Sequence, residues 1–395
     1  MTGPSDIARQ YSAESALLIL LLRQRLQGIK DVAETGAFLG THPVNPRTLE
    51  ELLAAHSLAS LVYPWLPEEC IGENLSTRVG FRAKANLAGL SELTRLQELF
   101  EQSSIQVIFV KGVLLSKILF DNFTSRSAAD IDILIRVNDF AAIRSLLLRD
   151  GYEELYPFPD AYPDYYLRQN REAAFRKKLE GGARQYVEIQ WAPMPGFFPV
   201  PYNNDYFFEH RTQMQVGPKS IPTLATTQHL LMLFVHHGVG DVWRSLRHIF
   251  DIAIFIHRKK EEIDWKEVHR KGSEWHMRRT INCGIALAAG LFYPGAGQYM
   301  HGTPDPALLD HCRDYVLGFP LLPKKKINRL NLQQQLKLSD FRRDRFVLVL
   351  GYLRRFLSPG MEELNLVKLP RTLFPLYYLI RRFRFLYRGG PAQPS

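Results

Sequence analysis

Asp130 and Asp132 stand two residues apart in Asp130-Ile131-Asp132-Ile133-Leu134-Ile135, an otherwise apolar, β-branched run. Such a run reads as a strand. Side chains alternate across a strand, so the two carboxylates share one face while Ile131, Ile133 and Ile135 point the other way, toward a core. Neighbouring carboxylates repel unless a cation lies between them. A hard divalent ion, held by one or two carboxylates and by substrate phosphate oxygens, is the usual resolution, so Mg²⁺ or Mn²⁺ is the expected metal. Downstream, Arg184-Gln185-Tyr186-Val187-Glu188-Ile189-Gln190-Trp191 alternates in the same way, with Glu188 and Gln190 opposite Val187 and Ile189. If the two strands lie side by side, Asp130, Asp132 and Glu188 form one acidic cluster. Three carboxylates suit two-metal phosphoryl transfer, in which one ion lowers the pKa of the attacking hydroxyl and the other neutralises the leaving phosphate. Lys111-Gly112 opens a helix, where backbone N–H groups and a cationic side chain suit a triphosphate, and Arg126 offers a further phosphate contact.

The elements that must position these groups follow from hydrophobic period and punctuation. Residues 5–103 read as helical, with apolar residues at three- and four-residue intervals over Ser12–Gln27 and Ser91–Gln102, and with Pro43, Pro46, Pro64 and Pro67 in the connections. The period then changes. Ile105–Val110 is a short β-rich run, Val113–Phe120 a helix, Asp130–Ile135 a strand, and Asn138–Arg149 a helix with Asn138 as N-cap and Gly151 closing it. Tyr152–Gly182 is a polar, aromatic, Pro-containing connection to the Glu188 strand. The fold class expected is α+β.

The chain has 395 residues, room for two or three compact units. Cys70, Cys283 and Cys312 are widely spaced, which disfavours a disulfide framework or a cysteine-rich zinc site and fits a reducing, cytoplasmic setting. The apolar burst Ala16–Leu22 runs straight into Arg23-Gln24-Arg25 and reads as a buried helix; no apolar segment is long enough to span a bilayer. The net charge of +10 is uneven: Lys324–Arg388 holds 16 Lys and Arg against 4 Asp and Glu, leaving the remainder at −2. Such a segment serves nucleic acid, anionic lipid or an acidic partner, or is a solvated helical face.

Val110-Lys111-Gly112, Arg126 before Asp130-Ile131-Asp132, Gly151-Tyr152 and Val187-Glu188-Ile189-Gln190-Trp191 together resemble the uncharacterised nucleotidyltransferase family of the DNA polymerase β-like superfamily. The resemblance continues through His229-Leu230-Leu231-Met232, His236-His237, Trp243-Arg244-Ser245-Leu246-Arg247-His248-Ile249-Phe250-Asp251-Ile252-Ala253 and Asp264-Trp265. It implies a minimal polymerase β-like core, a short mixed sheet with helices, at 104–215. Around it are expected a helical region at 1–103, a helical domain packed on the core at 216–320, and a basic, aromatic-rich helical region at 321–395. It also implies transfer of a nucleoside monophosphate from an NTP to an acceptor, with release of pyrophosphate. The acceptor could be a small molecule, a peptide, a glycan precursor or RNA. Asp130, Asp132 and Glu188 would bind metal, with Glu188 completing a second ion site or activating the acceptor; Lys111, Gly112 and Arg126 would hold phosphates. The superfamily usually has Gly-Gly or Gly-Ser where Lys111-Gly112 stands, and a His often follows the third acid where Gln190 stands. A neutral amide cannot act as a general base. The alternatives are γ-phosphate transfer and a catalytically silent nucleotide- or partner-binding adaptor, peripheral to a membrane.

Other motifs have plainer readings. Adjacent helical residues point about 100° apart, so His236 and His237 with Asp241 are expected to line a core or groove rather than share an ion. Arg244, Arg247 and Asp251 share helical spacing, with Arg247 and Asp251 expected as a salt bridge; His237 and Arg247 are secondary site candidates. Gly295 and Gly297 lack the strand and helix that a phosphate cradle needs. Leu373–Tyr387, with Arg381, Arg382, Arg384 and then Arg388, is expected to pack its aromatic stripe on the protein, in preference to lying on an anionic membrane or stacking on single-stranded RNA.

Overall fold

The computed structural model describes residues 2–179, 184–202, 204–318 and 324–388. At its centre is a mixed sheet of five strands: β1 (Ile108–Val110), β2 (Ile131–Leu134), β3 (Glu153–Glu154), β4 (Glu172–Lys178) and β5 (Arg184–Gln190), in the order β1-β2-β5-β4-β3. β2 and β5 run parallel and the other pairs antiparallel. Around the sheet the chain is mainly helical, so the fold is α+β.

Alternation divides the sheet's two faces as the sequence implies. Phe109, Ile131, Ile133, Val187 and Ile189 join a core with Leu96 and Phe100 of helix Leu75–Gln102 and with Phe140, Ile143 and Leu147 of helix Phe140–Arg149. Ile108, Val110 and Leu134 belong to a second, larger core shared with the N-terminal helices and with helix Leu246–Lys259. Asp132 has the parity of Leu134, so the acids face the helical regions. Within helix Ala13–Gln27 the stretch Ala16–Leu22 is apolar on all sides and buried throughout, because the helix packs against helices Pro46–Ala55 and Leu246–Lys259. Among the described residues no helix is long and apolar enough to cross a membrane.

Several elements differ from expectation. The helix expected from Ser91 begins at Leu75. Asn138 does not cap: Val137–Asp139 is already a 3₁₀ turn leading into a helix that starts at Phe140, and Asp139 has helical backbone angles (φ −83°, ψ −10°) and no side-chain cap bond. The connection from Tyr152 contains helix Pro163–Gln169 and strands β3 and β4; its end, 180–183, lies outside the described residues. β4 carries only Phe175 as a large apolar residue, and its strand character comes from a seven-residue antiparallel register with β5. A hairpin of β6 (Arg211–Val216) and β7 (Lys219–Leu224), turned at Gly217 with φ +58°, crosses position 216. It packs on β1, where the Thr223 hydroxyl donates to the Phe109 carbonyl at 2.8 Å.

The long connection from helix Gly112–Phe120 to β2 is held by Asn86. Its amide nitrogen donates to the carbonyls of Phe123 (2.7 Å) and Arg126 (2.8 Å), and its oxygen accepts from Ala128 N at 3.0 Å. Asn86 is 1% exposed, so water cannot easily replace these bonds. Asn86→Ala is expected to cost about 2–4 kcal/mol of stability, read from urea unfolding. A loss below about 0.5 kcal/mol would mean that other contacts hold the connection.

Candidate active site

Strand register assembles the site. Val110 of β1 pairs with Asp132 of β2, which pairs in turn with Glu188 of β5. Lys111, the next residue after Val110, therefore emerges beside the acids, and its ammonium lies 2.9 Å from Asp132 Oδ1 with both side chains buried. The backbone there is sharply bent. Lys111 has φ +55° and ψ −139°, a conformation that L residues seldom adopt outside functional sites, and Gly112 follows with φ +49°. A Cβ on Gly112 would sit 3.3 Å from the Asp130 carbonyl oxygen. The Lys-Gly pair thus lets the helix start pack directly on Asp130, the residue before β2.

The acids crowd one another in a poorly solvated seam. Burial, then the Asp132 charge, pushes the Asp130 carboxyl up to about 6, against the pull of Lys111, Arg126 and Arg247. Burial, then Asp132, Glu172 and Asp130, pushes Glu188 up to about 8. Gln190 lies on the same face and its amide donates to Asp132 Oδ1 at 2.7 Å and to Glu188 Oε2 at 3.2 Å, linking the two acids. The seam thus has more carboxylate than adjoining cation, the arrangement that a divalent ion resolves.

Arg126 lies under the site rather than open to a phosphate. It is 4% exposed, and its Nη2 and Nε lie 3.0 and 3.1 Å from Asp251 Oδ2. Burial alone would raise the Asp251 carboxyl, but Arg126 and then His237 outweigh it and hold it at about 2. The expected Arg247–Asp251 bridge is replaced by this partnership. Helix Leu246–Lys259 turns the face carrying both residues against the 121–130 connection, so each pairs across the interface: Asp251 with Arg126, and Arg247 Nη1 with the Ser127 carbonyl at 3.2 Å. Arg247 Nε is buried with no hydrogen-bond partner among the described residues, and burial, then Arg126, brings the guanidinium down to about 10. Arg244 precedes that helix and pairs with Asp241 at 3.1 Å.

His237 is buried and His236 half-buried on a π-helical turn, Phe234–Gly240, where His236 Nδ1 comes within 3.4 Å of His237 Nδ1 and of Asp241 Oδ2. One ligand atom from each of the three lies within 4.8 Å of the others, a set that could hold a metal ion. His237 Nε2 is 3.3 Å from Asp251 Oδ2, and its ring stacks on His248 at 4.2 Å. Burial is the main cause that lowers the pKa of all three histidines. Sequence reading passed over Asn86, the Gln190 bridge and His248. Gln190 was visible by its parity with Glu188, whereas Asn86 and His248 carry no local signal.

Glu188 holds its proton more tightly folded than unfolded, so its contribution to stability is greatest at low pH and fades as pH rises toward about 8. Glu188→Gln removes that titration. Without metal, the melting temperature of the variant minus that of wild type is expected to rise between pH 5 and 8 and then level off. A pH-independent difference would show that Glu188 titrates normally.

Residues 42–293 match the uncharacterised nucleotidyltransferase family. The chain is similar to a solved antigenic nucleotidyltransferase-like protein from Paracoccidioides brasiliensis, at 14% identity and a TM-score of 0.35, over 56% of this chain and 95% of that one. No curated protein matches it in sequence. The family match spans well over half of the residues, and the chain belongs to the uncharacterised nucleotidyltransferase family.

Proposed function

We propose that the protein transfers a nucleoside monophosphate from an NTP to an acceptor nucleophile, releasing pyrophosphate, at the seam between β2 and β5. The observation that carries this reading is the register of Asp132 against Glu188, with Asp130 two residues before and Lys111 at the strand end beside them. Three carboxylates with two of them pushed upward by crowding and burial form a donor set that fits Mg²⁺ or Mn²⁺. Such an ion, when bound, would polarise the phosphoryl oxygens and acidify the attacking hydroxyl.

The chain's own groups have distinct tasks in this reading. Asp130 and Asp132 hold the cation, and Glu188 either completes the second ion site or activates the acceptor from the neighbouring strand. Lys111 serves as counter-ion to Asp132 and turns to the phosphates when nucleotide binds. Arg247, with its unpartnered Nε and its proximity to Asp130, is the second phosphate-facing cation. Arg126 acts through Asp251, fixing the connection that ends at Asp130. Buried partners orient Lys111, Asp132, Glu188 and Arg126, which is what in-line attack on an α-phosphate needs.

The test is incubation with each α-³²P NTP and Mg²⁺ or Mn²⁺, with a lysate of the source cell as acceptor pool. Label is expected to move to a product with wild type. Asp132→Asn, which keeps the side-chain volume, should lower the rate by at least about 10³-fold. Equal transfer by wild type and variant, or none by either while γ-³²P label does move, would overturn nucleotidyl transfer at this seam.

A further inference from the structure

Exposed large apolar side chains concentrate, among the described residues, far along the chain from the β2–β5 seam. Of the 22 large apolar side chains that stand exposed among the described residues, 15 fall between Phe341 and Phe383. Helix Arg342–Leu357 explains much of this. Phe346, Val349, Leu350, Leu353, Phe356 and Leu357 follow at three- and four-residue steps, so they form one stripe, and each is exposed, Phe346 to 69%. The opposite face carries Asp344, Leu348, Gly351 and Tyr352. It is the inner one: Leu348 is buried, Gly351 approaches Phe197, and the Tyr352 ring packs edge-on to Phe197 at 5.1 Å. The helix is thus amphipathic in reverse, with its apolar stripe turned outward. Helix Leu376–Arg388 packs Tyr377 and Ile380 with Tyr162, as its aromatic stripe leads one to expect, yet leaves Leu376, Leu379 and Phe383 exposed, and Arg381 Nε donates to the Phe356 carbonyl at 2.8 Å, tying the two helices together. Monomeric soluble proteins seldom leave so large an apolar surface uncovered.

The charge around this surface says what covers it. Every acid between 324 and 388 has a partner among the described residues. Asp340 accepts from the backbone N–H groups of Arg278 and Arg279, Asp344 faces His276, Glu362 pairs with Arg384, and Glu363 pairs with both Arg381 and Arg384. Arg342, Arg343, Arg354, Lys368, Arg371 and Arg382 are all exposed, and none pairs with a carboxylate among the described residues. A second copy of the chain would bring these cations against their own kind across a two-fold contact. An anionic bilayer satisfies both features at once, taking the stripe into its acyl boundary and the cations at its headgroups.

We propose that helices 342–357 and 376–388 dock the protein on the surface of a membrane rich in anionic phospholipid, lying in the interface without crossing it. The full chain, sedimented with phosphatidylcholine vesicles with and without phosphatidylserine, is expected to bind only the anionic ones and to release as salt rises. Leu350→Glu combined with Leu353→Glu should reduce partitioning by about tenfold or more, as should Arg342→Glu combined with Arg343→Glu. These side chains are exposed, so melting temperature should not change, which separates lost docking from lost fold. Failure to bind either vesicle, equal binding to both, or unchanged binding by the two variants would overturn the proposal. So would light scattering that finds a dimer dispersed by Leu350→Glu with Leu353→Glu, since the second copy would then be the occupant.

Discussion

Everything at the centre of this molecule depends on one parallel strand pair that sets Asp132 opposite Glu188. The pairing itself follows from apolar residues, since Ile131, Ile133, Val187 and Ile189 bury one face of both strands in a common core. Once that face is buried, parity forces the acids together on the other, and a slip by one residue would turn them into the core. The hydrophobic side of the sheet therefore maintains an electrostatic cost on its other side. Lys111, Gln190 and the Arg126–Asp251 pair below limit that cost without removing it, as the raised carboxyls of Asp130 and Glu188 attest.

The surrounding elements serve this pair at increasing distance. The positive φ of Gly112 brings the helix start onto Asp130, Asn86 pins the connection, and helix Leu246–Lys259 supplies Asp251 from below and Arg247 from the side. The π-helical turn at Phe234–Gly240 gathers His236, His237 and Asp241 next to the same helix, and Asp251 joins the two groups through Arg126 and His237. A buried ion pair such as Arg126–Asp251 adds little net stability, but breaking it from one side typically costs about 3–5 kcal/mol. Its value is positional.

What was legible in the sequence was what alternation and turn chemistry encode locally. β2, β5, the helix after Lys111-Gly112 and the shared face of Asp132 and Glu188 all follow from period-two or helical patterns and from glycine. β4 was not legible, because Glu172–Lys178 has one large apolar residue and is made a strand by its neighbour. The partners of Arg247 and Asp251 are not legible for a related reason: spacing along one helix favours pairing them with each other, whereas the packed connection offers each a partner from elsewhere in the chain. The π-helical turn that brings Asp241 back beside His236 carries no mark in the sequence pattern. The outward apolar stripe of helix Arg342–Leu357 has an ordinary amphipathic pattern in sequence; only the fold tells which side faces in.

The central claim, that this seam is a cation and nucleotide site, is tested most directly by Mn²⁺ binding followed by electron paramagnetic resonance, with and without NTP, in wild type and in Asp130→Asn/Asp132→Asn. Wild type is expected to bind Mn²⁺ more tightly as pH rises from 6 to 8, as Asp130 and Glu188 give up their protons, and to bind more tightly still with NTP. The double variant is expected to lose that binding. Mn²⁺ uptake that the double variant retains, or its absence from wild type with and without NTP, would contradict the assignment.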